Sequence, residues 1–249
     1  EFWTLLPGAT HRASHVMDVH EAASAAHIYG KPLVAAESFT SFVPGWNDPP
    51  SAFKWLGDHF MAMGINRFVI HTSVHQPFVD RKPGFTLGPF GQHYSRNNTW
   101  AEQSIAWISY LSRSSHMLQQ GLFVADLAYY YGEGVPATVY EGPQTIPAPA
   151  PPEGYAYDYL NTEVLLTRMS FKNGRLVLPD GMSYRVLVLP DTVDRLTPPV
   201  LRKLRDLVAA GATVVGPKPK GSLGLVGYPG SDNEIRALAN EVWGAIDGR

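Results

Sequence analysis

Two segments of the sequence place reactive side chains directly after buried apolar runs. Glu37 follows the apolar run 33–36 with no turn residue between them, and His71 follows the apolar run 68–70 within the predicted buried strand 65–73. A carboxylate in such a place can act as a general base, a nucleophile or a metal ligand. An imidazole can hydrogen-bond a substrate. The sequence leaves two structural alternatives open. Glu37 could pair with a Lys or Arg at the end of the strand, and His71 could form its hydrogen bonds within the fold.

Several other chemistries lack their required pattern. His71 and His75 are four residues apart, which aligns side chains on a helix but not on an extended strand, and no HExxH sequence supports zinc. Ser38 and Ser73 lack the Gly-x-Ser-x-Gly turn of a serine hydrolase. The glycine- and lysine-containing segment 214–224 lacks the spacing of a phosphate-binding loop. Cysteine is absent, which excludes thiol catalysis, disulfides and thiolate zinc.

A second group of candidates lies in and around the long segment 76–100. Loops of this length without secondary structure of their own are usually functional or disordered, and five aromatic residues argue against disorder. Arg96, Asn97 and Asn98 either bind a hydroxylated ligand or build the turn. Glu102 stands where a helix begins, which favours an electrostatic role at the helix N-terminus.

The elements that must position these residues alternate between helix and buried strand. The Ala-rich segment 15–29 predicts a helix that ends at Gly30, and a continuously apolar strand follows. The same order recurs in a helix over 49–64 and a strand over 65–73. Parallel strands in α/β folds place their active-site residues at the carboxyl ends. Glu37 and His71 are therefore expected at one edge of a sheet.

The second half of the chain predicts another α/β unit, with a boundary near residue 121. A helix is expected over 101–121, a strand over 122–133, and a Pro-rich connector over 134–154. The following predictions are a mostly helical segment over 155–169, a hairpin or strand pair over 171–190 with Asn173-Gly174 as the turn, a helix over 197–211 with Thr197 as N-cap, and a strand over 212–217.

Composition sets the class of protein. Apolar residues are 45% and charged residues 17% of the chain, which is typical of a packed globular protein. A formal charge of −2 without a basic stripe argues against nucleic acid as a partner. No apolar run approaches the roughly 20 residues of a membrane helix. The chain begins at Glu1 without an initiator Met or a signal-like segment, so we expect a fragment or a processed piece.

Four stretches resemble the α-L-rhamnosidases of glycoside hydrolase family 106: "GKPLVAAESFTS", "GINRFVIHTSVHQP", "PGFTLGPFGQHYSRNNTW" and "GMSYRVLVLP". The resemblance runs through nearly all 249 residues. It implies an α/β fold made of the C-terminal portion of a (β/α)8 barrel, about strands 6 to 8, over 1–121 and a flavodoxin-like α/β domain over 122–249. It also implies hydrolysis of terminal α-L-rhamnosyl linkages with inversion, a calcium ion at the sugar, and an extracellular or periplasmic location.

The resemblance assigns roles to particular residues. Glu37 matches the carboxylate of barrel strand 7, which would be the general base, and Glu1 corresponds to an acidic residue near calcium. An inverting glycosidase needs a second carboxyl group roughly 6.5–9.5 Å away as general acid, and that acid is expected upstream of this chain. Residues expected to line the sugar pocket are Phe39, His71, His75, His93, Arg96, Asn98 and Trp100.

The expected partner is a rhamnose-containing oligo- or polysaccharide, and the missing N-terminal barrel part or another chain is expected to be needed for activity. Alone, the chain is predicted to hydrolyse little or nothing. The alternative is a non-catalytic carbohydrate-binding or assembly module in which Glu37 is structural. A stand-alone flavodoxin-like or amidotransferase-like enzyme on 122–249 is a third reading, and the absence of Cys argues against the amidotransferase version.

Overall fold

A computed structural model of the chain describes residues 2–3, 13–41, 46, 48–88, 91–134 and 149–244. The chain forms two compact units. The first contains Glu1–Ala23 and Pro32–Gly121, and the second contains Ser24–Lys31 and Leu122–Arg249. The predicted domain bounds, 1–121 and 122–249, put segment 24–31 in the first domain. In the structure this segment belongs to the second unit.

The first unit is built on a parallel sheet of three strands in chain order. The strands are β1 (Phe2–Trp3), β2 (Ala35–Thr40) and β3 (Arg67–Ile70), in the order β1-β2-β3. Its helices are α1 (Ala13–Ile28, whose last residues belong to the second unit), α2 (Pro50–Ala62) and α3 (Ser104–Leu118). The parallel strands and alternating helices confirm an α/β fold.

Helix α2 shows why the sequence folds this way locally. Pro50 occupies the first helical position, where its missing N–H costs nothing, and Gly64 adopts φ +113° just beyond the end. The buried residues recur at helical spacing and give the helix one apolar face: Phe53, Leu56, Gly57, Phe60 and Met61. A helix over 49–64 is therefore confirmed.

Phe39 interrupts the alternation of strand β2. Ala36 and Ser38 are buried, Glu37 is half-buried, and strict alternation would put Phe39 on the Glu37 face. Phe39 instead has φ +64°, and the pairing of β1 with β2 shifts register at this point, as at a β-bulge. Its ring lies 5.6 Å from that of Phe68, which pairs with Ala36 in the sheet register. The bulge therefore turns Phe39 into the apolar layer.

The second unit contains nine short strands and three helices within the described residues. They are β4 (Leu127–Tyr130), β5 (Tyr157–Leu160), α4 (Thr162–Thr167), β6 (Ser170–Lys172), β7 (Arg175–Val177), β8 (Ser183–Tyr184), β9 (Val186–Val188), β10 (Arg195–Leu196), α5 (Pro198–Ala209), β11 (Thr213–Val215), β12 (Gly221–Ser222) and α6 (Gly230–Trp243).

The main sheet of the second unit has four parallel strands in the order β11-β9-β4-β5. Strand β4 is buried along its whole length, and helix α5 packs an apolar face of Val200, Leu201, Leu204 and Leu207 into the same core. A smaller antiparallel sheet, β6-β7-β8, and the parallel pair β10-β12 complete the unit. No helix in the described ranges is long and apolar enough to cross a membrane.

The structure confirms some of the local predictions in this unit and contradicts another. The Asn173-Gly174 turn is confirmed, with φ values of +52° and +75° that match a tight hairpin turn. The mostly helical segment over 155–169 is wrong, since it contains strand β5 and the six-residue helix α4. Thr197 does occupy the N-cap position, but its hydroxyl donates to Glu133 at 2.7 Å and does not cap the helix.

Candidate active site

Glu37 lies inside strand β2, with three strand residues after it, and not at the end of the strand as predicted. The strand extends beyond the apolar run because Ser38 pairs with Ile70 of β3 and Thr40 with Trp3 of β1. The Thr40 hydroxyl donates to Glu37 Oε1 at 2.9 Å. The side chain is half-buried and forms no ion pair with any described Lys or Arg, so within those residues the structural alternative of a paired Glu is not supported.

The ends of β2 and β3 are joined by the returning part of the long loop. Gly91 N–H donates to Ser41 O at 2.9 Å, and Gln92 N–H donates to His71 O at 2.7 Å. Thr72 N–H donates back to Gln92 O at 2.9 Å. The segment 91–92 therefore lies across the carboxyl edge of the sheet, next to the residues that the sequence singled out.

Gly91 is required for that close approach. Its φ is +99°, and a Cβ at this position would lie 2.8 Å from the backbone oxygen of His71 and in direct conflict with the His71 ring. The neighbouring Gln92 is fully buried, and its Nε2 donates to Asp48 Oδ2 at 3.1 Å. His71 is thus confined by the loop and is not a free surface imidazole.

Two buried polar atoms at this edge lack a hydrogen-bond partner among the described residues. They are His71 Nδ1 and Gln92 Oε1. Buried polar groups are rarely left unpaired in native proteins, because the lost hydrogen bond costs free energy. The polar groups at this edge are therefore less completely paired than is usual in a protein interior.

His93 and Tyr94 extend the edge with aromatic character. The rings of His93 and Trp46 have centroids 4.4 Å apart, and burial lowers the pKa of His93 below its ordinary 6.5. A neutral imidazole can both donate and accept a hydrogen bond. Burial raises the pKa of Tyr94 to about 12, and the Tyr94 hydroxyl accepts from Trp107 Nε1 at 3.0 Å. Tyr94 therefore links the loop to Trp107 of α3.

Three residues predicted to contact substrate have structural contacts here. Phe39 is fully buried among Phe53, Phe68 and Trp107, so its role is packing. Asn98 is 6% exposed and donates to His93 O at 3.1 Å. Arg96 Nη2 donates to Gln76 O at 2.8 Å and to Phe78 O at 3.0 Å. The amide and the guanidinium hold the loop together, which favours the turn-building alternative for both.

The remaining predicted residues are more accessible. Trp100 is half-buried, packs edge-on against Tyr94 and lines a groove of 430 Å³ together with Arg96 and Glu102. His75 is exposed within the loop. Glu1, predicted near calcium, lies outside the described residues.

A calcium site needs a cluster of oxygen donors on one side of the sheet edge. No group of three or more His, Asp or Glu side chains there could hold a metal ion. Calcium prefers six to eight oxygen ligands, with carboxylates prominent among them. The described residues contain no such carboxylate cluster, and calcium stays a prediction.

Sequence reasoning missed the residues that organise this edge. The backbone oxygen of Ser41 accepts from Gly91 N–H, and the Asp48 carboxylate accepts from the side-chain amide of Gln92. The Trp46 ring packs at a tilt against that of His93. The available signal was Gly91, which precedes a His in an aromatic loop and needs a positive φ. A glycine that allows the chain to approach a strand end marks the return point of a functional loop.

The half-buried carboxylate of Glu37 and the imidazole of His71 lie on the carboxyl side of a parallel sheet. Similarity to known proteins identifies the class of protein as glycoside hydrolase. The chain belongs to glycoside hydrolase family 106, whose model, described as alpha-L-rhamnosidase, matches residues 1–249. The rhamnosidase from Novosphingobium sp. PP1Y has a similar structure, with a TM-score of 0.89 at 40% identity over 98% of this chain and 23% of that one.

A curated relative from Formosa agariphila carries the name putative beta-glucuronidase. It is 41% identical over 221 residues, which are 89% of this chain and 18% of the relative. The chain thus spans less than a quarter of the length of either similar protein.

Proposed function

We propose that this chain is the portion of an inverting α-L-rhamnosidase that carries the general base, Glu37. Its substrates are terminal α-L-rhamnosyl linkages in plant or bacterial glycans, met outside the cell or in the periplasm. The observation that carries the proposal is the Glu37 carboxylate: half-buried, oriented by the Thr40 hydroxyl at 2.9 Å and without an ion pair among the described residues.

The fold proposal assigns β1, β2 and β3 to strands 6, 7 and 8 of a (β/α)8 barrel. Their parallel pairing in chain order supports this, because consecutive barrel strands are neighbours. The second unit is proposed to be flavodoxin-like. When its four strands are numbered in chain order, the main sheet runs 2-1-3-4, from β5 through β4 and β9 to β11, which is the beginning of the flavodoxin strand order.

The chemistry divides between two carboxyl groups. Glu37 would take a proton from the attacking water, and Thr40 would hold Oε1 so that the other carboxylate oxygen faces the water. A general acid roughly 6.5–9.5 Å away must protonate the leaving oxygen. That acid is proposed to come from the rest of the barrel or from another chain, so the isolated chain hydrolyses little or nothing. Calcium remains a prediction, supported by no described cluster of ligands.

Turnover of an aryl α-L-rhamnoside tests the proposal in two steps. The chain alone should show little or no activity. A chimera, in which this chain replaces the homologous segment of the Novosphingobium rhamnosidase, should be active. Glu37→Gln in the chimera should then lower turnover by about 10²–10⁴-fold, the usual contribution of a general base.

Glu153→Gln is the matched control, since Glu153 is an exposed Glu of the second unit. Turnover by the chimera that survives Glu37→Gln would contradict the role of Glu37. Robust turnover by the chain alone would contradict the need for a partner acid. An aryl β-D-glucuronide belongs in the same assay, because the Formosa relative is named as a glucuronidase.

A second candidate is a non-catalytic carbohydrate-binding or assembly module. The exposed rings of Phe78 and Phe85 favour it, because sugars stack on such surfaces and neither ring belongs to the edge that carries Glu37. Calorimetry with rhamnose separates the two readings. If a calcium chelator abolishes rhamnose binding, the result supports the rhamnosidase site. Glycan binding that does not depend on calcium supports the module.

A further inference from the structure

A separate cavity lies within the loop between β3 and α3. It has a volume of 280 Å³ and is lined by Gln76, Phe78, Arg81, Lys82, Pro83, Gly84 and Phe85. None of these residues contributes to the chemistry assigned to Glu37. The cavity combines two kinds of side chain, aromatic rings and cations, and this combination limits what it can bind.

The aromatic part is an exposed pair of rings. Phe78 is 44% and Phe85 54% exposed, and their ring centroids are 6.2 Å apart. The apolar C–H face of a pyranose can pack on such rings. Exposure of two aromatic rings to water is unfavourable, and a bound sugar would remove part of that exposed apolar surface.

The cationic part is not neutralised by the fold. The Arg81 guanidinium lies over the Phe78 ring at 4.5 Å from the centroid. Neither Arg81 nor Lys82 forms an ion pair within the described part of the chain, although Asp80 is adjacent in sequence. Two cations beside an apolar platform are suited to a carboxylate, which Arg binds through paired N–H donors.

The loop that forms the cavity is held by side-chain bonds to its own backbone. Gln76 Nε2 donates to Phe85 O at 2.7 Å, and Phe85 N–H donates to Gln76 Oε1 at 2.8 Å. Asn97 Nδ2 donates to Pro83 O at 3.1 Å, and Gly84, at φ +96°, leaves no space for a Cβ beside the Gln76 amide. A loop ordered before binding loses little entropy when a ligand arrives.

We propose that this cavity, which we call the Phe78–Phe85 subsite, binds a uronate residue of the glycan that carries the rhamnose. The sugar ring stacks on the two phenylalanines and its carboxylate pairs with Arg81 and Lys82. The loop leaves the carboxyl end of β3 and returns to it through segment 91–92, so the subsite belongs to the same loop as His93. The assignment of a rhamnose-bearing glycan rests on the proposed function; the uronate specificity rests on this cavity.

Titration of the chain with methyl β-D-glucuronide, methyl α-D-galacturonide and methyl β-D-glucoside, followed by NMR, tests the proposal. The uronides should bind with Kd on the order of 1 mM and the neutral glucoside at least about tenfold more weakly. Added salt should weaken uronide binding, because the partners are exposed charges. Arg81→Gln and Phe85→Ala should each weaken it by about tenfold.

Arg236→Gln is the matched control, since it removes an exposed Arg from α6 of the second unit. Three outcomes would overturn the subsite. They are equal affinity for uronide and glucoside, a loss of uronide affinity in Arg236→Gln as large as in Arg81→Gln, and no binding by a chain whose circular dichroism is native. If the chain does not fold alone, the same titration is carried out with the chimera. Glu37→Gln should bind uronides as the unchanged protein does, so failure of the rhamnosidase assignment and failure of the subsite are distinguishable.

Discussion

The polar residues at the carboxyl edges of the two parallel sheets have different surroundings. In the second unit, Glu133 accepts the backbone N–H and the hydroxyl of Thr197, both at 2.7 Å. The Tyr130 hydroxyl and Thr162 Oγ1 lie 2.9 Å apart, and Thr162 also donates to Gly132 O at 3.3 Å. The fold itself supplies partners for these groups, so they stabilise the ends of the strands.

In the first unit the corresponding edge is less completely paired. Glu37 has one described side-chain bond, from Thr40, and both His71 Nδ1 and Gln92 Oε1 are buried without a described partner. Incompletely satisfied polar groups cost stability and persist where a ligand completes them. The difference is consistent with the proposal that the edge of the first unit carries chemistry, while the edge of the second unit stabilises the fold.

The largest expected effect on stability belongs to Asp158 of the second unit. It is 1% exposed, and its carboxylate contacts His27 Nδ1 at 2.8 Å and the Tyr184 hydroxyl at 2.9 Å. Asp158→Ala should lower the free energy of unfolding by about 3–5 kcal/mol, because it leaves two buried donors unpaired. Urea unfolding measures this. Asp206→Ala, in an exposed pair, should cost about 0–1 kcal/mol, and equal losses in both variants would remove the structural role of Asp158.

A smaller loss is expected at Gly91 in the first unit. Gly91→Ala adds a Cβ at φ +99° against the His71 backbone, and should cost about 2–3 kcal/mol while releasing segment 91–92 from the sheet edge. Hydrogen exchange at the amides of Gln92 and Thr72 should accelerate. Gly88→Ala is the control, because Gly88 has φ +67° but no atom within 4 Å of the new Cβ. Unchanged exchange in Gly91→Ala would contradict the joining of loop and sheet.

The smallest effect is a pH dependence centred on His93. Burial lowers its folded-state pKa below 6.5, so the unfolded chain binds the proton more readily. This group therefore contributes stability above its unfolded pKa, and that contribution is lost as pH falls through the lower folded value. NMR titration of the imidazole should show the lowered pKa, and Trp46→Ala should raise it towards 6.5 by exposing the ring. Trp55→Ala, on α2, should leave it unchanged, and an equal shift in both variants would exclude a local effect of Trp46.

The sequence predicts elements whose boundaries are chemically marked. Helices α2 and α5 begin at Pro and are followed by Gly, and both were placed correctly. Segment 155–169 is predicted to be mostly helical because of the apolar residues after Asn161. Tyr157 and Tyr159 favour a strand, and strand β5 forms there. The Asn161 cap, which accepts from Val164 N–H at 2.9 Å, was the missed boundary signal.

The sequence singles out candidate site residues only where a reactive side chain follows an apolar run. Glu37 and His71 were selected on this basis, and their chemical roles stay predictions. Whether Asn98 and Arg96 bind a ligand or the backbone depends on where a loop of 25 residues, 76–100, returns, and no local pattern encodes that path. Phe39 was predicted to contact substrate, and the sequence does not show the bulge, set by pairing with β1, that turns its side chain into the apolar layer.

The most direct test of the difference between the two edges compares Glu37→Gln with Glu133→Gln in the chimera, with turnover of an aryl α-L-rhamnoside and free energy of unfolding measured on both. We expect Glu37→Gln to lower turnover by about 10²–10⁴-fold with unchanged stability. Glu133→Gln should lose about 1–2 kcal/mol of stability with near-normal turnover. Turnover that survives Glu37→Gln, or falls equally in both variants, would contradict the assignment of chemistry to the first unit's edge.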